Sequence, residues 1–354
     1  MLRCSALRSC RTILWSGIFL GLLGCEAPYY WHLARGQVEV LSNCEPIENI
    51  LASTTVAPKA RAKLELIQAA ISFAHNRIGL ALSDNYTCYH DTEGEPVSWN
   101  VSACSSTRFE PFTWDFPIVG SLAYKGFFRK DVAQEERDRL RSKGLDVVMR
   151  PVSAYSTLGY FTDPVLSTML EYNDARLAKL IIHELTHGTV FAKGFTDFNE
   201  SLASFVGDTG SIMFLRSKGF EEELVSRILG EREEDRRFRA FMTTVVAELD
   251  SLYSMNLPSA SVLEQRKAVF QAAQSRFDRT QFPSGRYDHF ERWKINNATL
   301  LSYRRYNRDI ELFEQLHTAR ADSLRETLAL CKACAATQNP WSCLRDSLDV
   351  LNRL

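Results

Sequence analysis

The chain has 354 residues, of which 45% are hydrophobic, and its 42 basic side chains nearly balance its 43 acidic ones. A chain of this length and apolar content can bury a large core, which favours one large domain or two closely packed lobes. The balanced charge, without a basic stripe or a basic cluster interleaved with aromatics, argues against nucleic acid as a partner.

The N-terminus has the pattern of an export signal. Three arginines precede an apolar run over residues 13–24, which is too short to span a bilayer comfortably but fits the core of a signal peptide. The run ends in Leu-Leu-Gly before Cys25, as in the cleavage box of a bacterial lipoprotein. An ordinary signal peptide or a short membrane anchor is the alternative.

We therefore expect a lipoprotein signal peptide over residues 1–24 and a mature domain over residues 25–354. Cys25 would carry the lipid, and several acyl chains together hold a protein stably on a membrane face. Glu26 follows this position, which by resemblance to Gram-negative lipoproteins permits export to the outer membrane. The expected location is the bacterial cell envelope, with the domain facing the periplasm.

Six cysteines remain after Cys25, and an even number in an exported chain favours disulfide bonds. We expect Cys88 to pair with Cys104, and two of the three C-terminal cysteines to pair with each other. Cys331 and Cys334 could instead form half of a zinc knuckle or a redox pair, but no second cysteine pair or nearby histidine pair supports zinc there. The six residues are Cys44, Cys88, Cys104, Cys331, Cys334 and Cys343.

The hydrophobic pattern predicts a helix first, then short strands, then a long helical part. The helix covers residues 59–83, and residues 84–118 look irregular because turn residues and aromatics dominate them. Strands are predicted around 118–124, 146–152 and 155–161, with a charged helix over about 130–143 between the first two. The helices predicted from residue 174 onward are 174–193, 198–217, 220–256, 260–278, 288–302 and 307–333.

A five-residue motif, His183-Glu184-Leu185-Thr186-His187, lies in the first of these C-terminal helices. Residues four apart share one face of a helix, so both imidazoles can reach one metal ion, with Glu184 close to a water on that metal. This is the arrangement of zinc metallopeptidases. The apolar surroundings predict a buried helix, where such polar groups need a partner such as a metal. A surface helix with an incidental histidine pair is the alternative.

A third ligand is expected from the next predicted helix. Glu200 is favoured because it follows Asn199, a candidate N-cap, at the start of that helix. Asp197 and Asp208 are the other candidates. Glu200 could also be an acid of the first turn that the helix dipole stabilises.

The segment before the motif is a candidate substrate-binding strand. In a peptidase, a sheet edge here can pair with the extended backbone of a substrate, and Gly159 lets that backbone approach closely. An ordinary hairpin strand is the alternative. The residues concerned are Tyr155, Ser156, Thr157, Leu158 and Gly159.

Several stretches together resemble a family of bacterial lipoproteins predicted to be zinc aminopeptidases, over almost all of the mature chain. More distantly the chain is similar to the gluzincins, whose thermolysin-like members carry Asn-Glu on a second helix. The interval from His187 to Glu200 is shorter than in most thermolysin-like enzymes. The stretches are the cleavage box followed by Tyr29-Tyr30-Trp31 and Gly36-Gln37, then Tyr124-Lys125-Gly126-Phe127-Phe128, Ala154-Tyr155-Ser156-Thr157-Leu158-Gly159-Tyr160-Phe161 with Asp163-Pro164, the motif at His183, Phe198-Asn199-Glu200-Ser201-Leu202-Ala203, and Asn296-Asn297-Ala298 with Tyr303.

The resemblance implies Zn²⁺ held by His183, His187 and Glu200, with Glu184 as the general base. It also makes Tyr303 the leading candidate for stabilising the transition state; Tyr306, Arg304 and His289 are the alternatives. The fold it implies is α+β and gluzincin-like, with a small N-terminal mixed sheet with helices, the zinc-binding helix and a largely α-helical C-terminal part. Another divalent metal could replace zinc.

The expected function is removal of N-terminal residues from peptides by a zinc aminopeptidase. Such an enzyme needs a carboxylate for the free ammonium of its substrate, and Asp163, Glu171 and Asp197 are candidates. A zinc endopeptidase of envelope proteins is one alternative, and an envelope binding protein without activity is another.

Overall fold

The computed structural model describes residues 27–116, 120–152, 162–280, 282–287, 290 and 295–353. Two compact units divide the chain, residues 1–44 and 45–354. In the first unit the described element is helix α1 (Ala27–Ser42). The predicted signal peptide, Cys25, His289 and the candidate substrate segment 155–159 lie outside the described residues, so those predictions stay predictions.

The second unit is mostly helical. A short π-helical segment, Ala74–Ile78, continues α3, and a 3-10 segment, Ser167–Glu171, precedes α5. The helices are α2 (Ile47–Ala52), α3 (Pro58–Phe73), α4 (Lys130–Ser142), α5 (Asp174–His187), α6 (Thr196–Ser217), α7 (Glu222–Tyr253), α8 (Ser259–Phe277), α9 (Asn297–Asn307), α10 (Ile310–Ala319), α11 (Leu324–Ala335) and α12 (Pro340–Leu351).

Short strands form small sheets beside these helices. The first sheet has the order β1-β2-β8, with β2 antiparallel to β1 and parallel to β8. The second has the order β6-β3-β7 and is antiparallel, with Asn100 opposite both Gly126 and Arg150. Strands β4 and β5 pair antiparallel. The strands are β1 (Glu45–Pro46), β2 (Cys88–His90), β3 (Trp99–Cys104), β4 (Trp114–Phe116), β5 (Gly120–Leu122), β6 (Lys125–Phe127), β7 (Asp146–Pro151) and β8 (Val165–Leu166).

A mostly helical chain with small sheets agrees with the predicted α+β class. The prediction of an irregular stretch over residues 84–118 is wrong, because β2, β3 and β4 lie within it. Strand β3 is buried at four consecutive positions, so it lacks the alternation of apolar and polar residues that reveals a half-buried strand.

The predicted helix over residues 307–333 is also wrong, because it is two helices, α10 and α11. The break includes Ala321 and Asp322, which adopt left-handed backbone conformations with φ of 52° and 57°. Ser323 then caps α11 by accepting a hydrogen bond from the Glu326 backbone N–H at 3.4 Å. Helix α12 was not predicted, although Asn339 followed by Pro340 is a helix-start signal.

Buried apolar side chains form two clusters. The larger joins α3, α5 and α6 with α10–α12, through residues such as Ile67, Ile181, Phe205 and Phe313. The smaller is rich in aromatics around Phe238 on α7. Each fully buried side chain of this size stabilises the fold by about 1.5–3 kcal/mol, so the larger cluster holds α5 firmly against α6.

A disulfide bond joins Cys334 on α11 to Cys343 on α12, which confirms the prediction that two of the C-terminal cysteines pair. The predicted Cys88–Cys104 bond is wrong. Cys88 is disulfide-bonded, but Cys104 is a free and buried thiol. It lies on β3, where its Sγ donates a weak hydrogen bond of 3.4 Å to the Arg108 carbonyl. Among the described residues, no helix is both long and apolar enough to cross a bilayer.

An ion pair of 2.5 Å joins Lys179 on α5 to Asp208 on α6. Burial opposes the ionised carboxyl, but the charge of Lys179 outweighs it and holds the pKa of Asp208 below its usual range. Because the pKa is lowered in the folded state, the stabilisation is present above the unfolded pKa of about 3.9. It is lost as the pH falls through the folded pKa.

We therefore expect Asp208→Asn to lower the free energy of unfolding at pH 7 by about 1–2 kcal/mol, between the values for exposed and buried ion pairs. The difference from the wild type should shrink as the pH falls below about 4. Urea unfolding at a series of pH values measures this, with the exposed Asp346→Asn on α12 as the control. An equal loss at every pH would contradict a role for the ion pair.

Candidate metal centre

Helix α5 carries the His183-Glu184-x-x-His187 motif with one face buried and the other towards a cleft. Its N-cap is Asn173, whose side chain accepts a hydrogen bond of 2.8 Å from the Arg176 backbone N–H. Leu185 and Thr186 are buried, whereas His183, Glu184 and His187 are partly exposed. The helix ends at His187, earlier than the predicted residue 193. The local sequence therefore aims the two imidazoles and the carboxylate away from the core.

Asn199 fixes the connection between α5 and α6. Its side chain accepts a hydrogen bond of 2.8 Å from the Ala192 backbone N–H and donates one of 3.0 Å to the Ala192 carbonyl. The prediction that Asn199 caps α6 is wrong, because the N-cap is Phe195 and Asn199 lies one turn inside. The clamp closes the short connection and brings the next residue, Glu200, to the motif.

The side chains of His183, His187 and Glu200 meet at one point. The two histidine Nε2 atoms are 3.3 Å apart. Oε2 of Glu200 lies 3.5 Å from Nε2 of His183 and 3.6 Å from Nε2 of His187. Among the described residues, this is the group of histidine, cysteine and acidic side chains whose ligand atoms are close enough to hold one metal ion.

The size of this triangle fits a zinc ion. Ligand atoms about 2.0–2.1 Å from a tetrahedral Zn²⁺ lie about 3.4 Å from one another. The three observed separations, 3.3, 3.5 and 3.6 Å, are close to that spacing. Two imidazole nitrogens and one carboxylate oxygen are also the donor set of catalytic zinc sites, which leave a fourth position open.

Electrostatics links the three residues as well. Burial disfavours ionised Glu200, but hydrogen bonds with His183 and His187 outweigh it and hold the pKa of Glu200 far below its usual range. Burial likewise disfavours protonated His187, but Glu200 outweighs it and raises the pKa of His187. Glu200 therefore stays an anion that attracts a cation to this position.

The other two candidates for third ligand have different partners. Asp197 accepts a hydrogen bond from Arg308 in an ion pair, and Asp208 pairs with Lys179. Glu200 is the acid that the structure brings to the two histidines.

Gly207 on α6 sets how closely the two site helices approach. A Cβ at this position would lie 2.9 Å from the Lys179 carbonyl oxygen and 3.2 Å from Cβ of His183. Both neighbours belong to α5 and neither is the free end of a flexible side chain. Any larger residue must therefore push His183 away from Glu200.

We expect Gly207→Ala to cost about 1–3 kcal/mol of stability and to weaken metal binding as well, because it displaces the backbone that carries His183. Gly210→Ala is the matched control. Its Cβ would be 2.7 Å from Cδ1 of Ile78 and 3.1 Å from Cγ2 of Ile182, which are side-chain methyl groups and not the backbone that carries His183. Unfolding and metal titration of both variants test this, and an equal loss of metal affinity in both would contradict it.

Glu184 and His183 line a cleft of about 470 Å³. Residues of β3, β7, α5 and α9 form its walls, and Tyr306 of α9 lies beside the histidines. The rings of Tyr306 and His183 stack with their centroids 6.5 Å apart. The charge of Glu200 raises the pKa of Tyr306. Tyr306 is therefore a protonated hydrogen-bond donor next to the centre.

The structure does not bring Tyr303 to this centre, although the sequence favoured it. Its ring packs against Phe238, with the two ring centroids 5.4 Å apart, in the aromatic cluster around α7. Arg304 lines a different cavity. The two tyrosines are three residues apart on α9, and Tyr306 is the one whose ring stacks on His183.

Two further phenols near Glu184 were not singled out as site residues from the sequence. Burial raises the pKa of Tyr124, and the charge of Glu200 raises it further, so Tyr124 lies close to the centre. Tyr86 is fully buried, with a left-handed φ of 63°, and its hydroxyl has no hydrogen-bond partner among the described residues. Burial raises its pKa well above the usual value, and the charges of Glu184 and Asp163 add to that shift.

An unpaired buried hydroxyl costs about 1–3 kcal/mol, and a left-handed backbone at a bulky residue adds strain. Both features point to a functional position for Tyr86. A positive φ at a tyrosine leaves no mark in a single sequence, so only the structure could reveal it.

The candidate acids for an amino group are placed differently from one another. Asp163 is buried, and its charge acts on Tyr86 together with that of Glu184. Glu171 is exposed and pairs with Lys59 at 2.8 Å. Asp197 is engaged by Arg308. Of the three, Asp163 shares surroundings with the motif.

Two helices bring His183, His187 and Glu200 together, and Glu184 lies next to them beside a cleft. This arrangement is suited to hydrolysis of peptide bonds. Residues 28–340 match the protein family described as "Putative aminopeptidase", and the chain belongs to this family. Membership indicates a peptidase that acts on peptide substrates. No curated protein and no solved structure matches the chain.

Proposed function

We propose that this protein is a zinc-dependent aminopeptidase that holds its metal through His183, His187 and Glu200. The single observation that carries the proposal is the compact triangle of the three ligand atoms, with edges of 3.3–3.6 Å. Glu184, the neighbour of His183 in the chain, lies in the adjoining cleft. A triad of this size beside a free carboxylate supports hydrolysis better than a binding role.

A bound zinc ion would lower the pKa of water and polarise the carbonyl of the scissile peptide bond. Glu184 accepts the proton of the attacking water and passes it to the leaving amine. Tyr306 and Tyr124 keep their protons at neutral pH because their pKa values are raised. Each can donate a hydrogen bond to the carbonyl oxygen as negative charge develops on it.

The acids around Tyr86 support recognition of a free amino group. Glu184 and Asp163 both act on its phenol, so two carboxylates lie on this side of the centre. A substrate ammonium that reaches these carboxylates would gain ion pairing.

The test measures the rates at which zinc-loaded protein and chelator-treated protein cleave an unblocked peptide and its N-acetylated form. The proposal predicts release of N-terminal residues from the unblocked peptide, at least about 100-fold faster than from the acetylated one. Chelation should abolish both rates. Equal cleavage of internal bonds in both peptides would make the protein an endopeptidase, and no cleavage by zinc-loaded protein would leave a binding protein.

Tyr306→Phe should lower kcat by about 10²–10³-fold, the usual cost of losing one donor to a developing oxyanion. The phenylalanine keeps the ring beside His183, so zinc content should not change. Tyr303→Phe is the matched control on the same helix and should alter kcat little, because that ring packs against Phe238. Steady-state kinetics of both variants decide between them, and the reverse ranking would return the role to Tyr303.

A further inference from the structure

The cleft beside the candidate centre is strongly basic. Its lining includes Arg150, Arg176, Lys179 and Arg305, whereas Glu184 is the one acidic residue among the described residues that line it. A cleft with this imbalance attracts anions and repels cations. The inference that follows rests on the proposed peptidase function.

The basic groups come from different elements and converge next to Tyr306. Arg150 is at the end of β7, where it pairs with Asn100 of β3, and Arg305 precedes Tyr306 on α9. Arg150, Arg305 and Tyr306 line the same cleft, and both Tyr306 and Arg305 act electrostatically on the charge of Arg150. Since Tyr306 stacks on His183, the two arginines lie close to the centre.

The guanidinium groups in the cleft have no carboxylate partner among the described residues. Arg176 lies over the ring of Tyr172, with its guanidinium carbon 3.9 Å from the ring centroid. Arg305 lies over Tyr124 at 5.2 Å and donates a hydrogen bond of 3.4 Å to the Ala123 carbonyl. In the part of the chain that the structure describes, no acidic side chain forms an ion pair with Arg150, Arg176 or Arg305.

Some arginines elsewhere among the described residues pair with acidic side chains. Arg266 pairs with Asp146 at 2.9 Å, and Arg239 pairs with Glu311 at 3.2 Å. Lys179, the remaining basic group of the cleft, is already neutralised by Asp208. Three guanidinium groups without a carboxylate partner among the described residues therefore line the cleft that adjoins the candidate centre.

We propose that Arg150 and Arg305 bind a carboxylate of the substrate on the C-terminal side of the scissile bond. A guanidinium offers two parallel N–H donors that match a carboxylate, which favours this anion over a neutral amide. The same positive charge excludes the substrate ammonium from this cleft, so the leaving part of the peptide occupies it. A cleft of about 470 Å³ has the size of a small-molecule site, which suits short peptides.

The carboxylate can be the free C-terminus of a short peptide or an acidic side chain, and the experiment separates the two. Three substrates are compared with the zinc-loaded full chain: trialanine with a free C-terminus, trialanine amide, and the amide of Ala-Asp-Ala. We expect kcat/KM to be about 10–100-fold higher for a peptide with a carboxylate than for trialanine amide. A preference for trialanine with a free C-terminus would show that the bound carboxylate is the C-terminus of the peptide. A preference for the amide of Ala-Asp-Ala would show that it is an acidic side chain.

Arg150→Gln and Arg305→Gln should each reduce that preference to within about threefold, mainly through KM. Arg304→Gln is the matched control, because this neighbour on the same helix is exposed and lines a different cavity. It should keep the wild-type preference. Equal kcat/KM for acid and amide in the wild type, or an unchanged preference in both cleft variants, would overturn the inference.

Binding of the same three peptides to zinc-loaded Glu184→Gln protein gives a readout that needs no turnover. Tighter binding of a peptide with a carboxylate, lost with Arg150→Gln, supports the inference even if the wild type cleaves none of the peptides. That combination would contradict the proposed peptidase function and support the proposed carboxylate site. Cleavage of all three peptides at equal rates, together with equal binding, would support the peptidase function and contradict the carboxylate site.

Discussion

Replacing Glu200 with alanine is expected to remove metal binding while the chain stays folded. Its carboxylate is the only acidic group among the described residues that meets both histidines, at 3.5 and 3.6 Å. Loss of a residue that merely orients a metal ligand costs about 10–100-fold in affinity, so loss of a ligand should cost more than about 100-fold. Competition with a zinc-binding dye measures the affinity, and circular dichroism checks the fold.

The controls for Glu200 are the two acids that the sequence left as alternatives. Asp197→Asn and Asp208→Asn should each keep zinc, because Arg308 and Lys179 already engage these carboxylates. Zinc retained by Glu200→Ala and lost by either control would show that the third ligand is misassigned.

Glu184→Gln is expected to lower kcat by about 10²–10⁴-fold with zinc content unchanged. Glutamine keeps the shape of the side chain but cannot accept the proton of the attacking water. The zinc stays because Glu184 is outside the triangle of His183, His187 and Glu200. Steady-state kinetics with an unblocked peptide, together with metal analysis of the same sample, measure both quantities.

Glu171→Gln is the control for the general base, since this acid is exposed and pairs with Lys59 rather than with the centre. Its kcat should match the wild type. If Glu184→Gln kept its activity within about tenfold, another group would have to serve as the base.

The His/His/Glu cluster was predictable because most of its geometry is local. His183 and His187 are one helical turn apart, so a helix alone places both imidazoles on one face. The position of Glu200 beside the histidines depends on one tertiary contact, the packing of α6 against α5. Two residues make that contact possible: the Asn199 side chain binds the Ala192 backbone, and Gly207 lets α6 approach His183 closely.

The second half of the site was less predictable because it depends on distant packing. Helix α9 covers Asn297–Asn307 rather than the predicted 288–302, and the face it turns to the centre follows from the aromatic cluster around Phe238. Tyr303 enters that cluster, which leaves Arg305 and Tyr306 in the cleft. No local pattern distinguishes the two faces.

The Asn296-Asn297 stretch, singled out by resemblance, has a structural role. Asn296 caps α9 by accepting a hydrogen bond of 2.9 Å from the Thr299 backbone N–H. The Asn297 side chain accepts a hydrogen bond from the Tyr253 hydroxyl and donates one to the Ser105 carbonyl, both of 2.8 Å. These bonds anchor the start of α9, so the stretch serves the site by positioning Tyr306 and not by touching substrate.

Zinc titration of chelator-treated protein, with peptide cleavage followed in the same sample, tests the central claim most directly. We expect release of the N-terminal residue from an unblocked peptide to rise with added zinc and to saturate at about one ion per chain. Glu200→Ala should show no rise over the same range. Cleavage that is independent of metal, or a wild-type chain that binds no zinc, would contradict it.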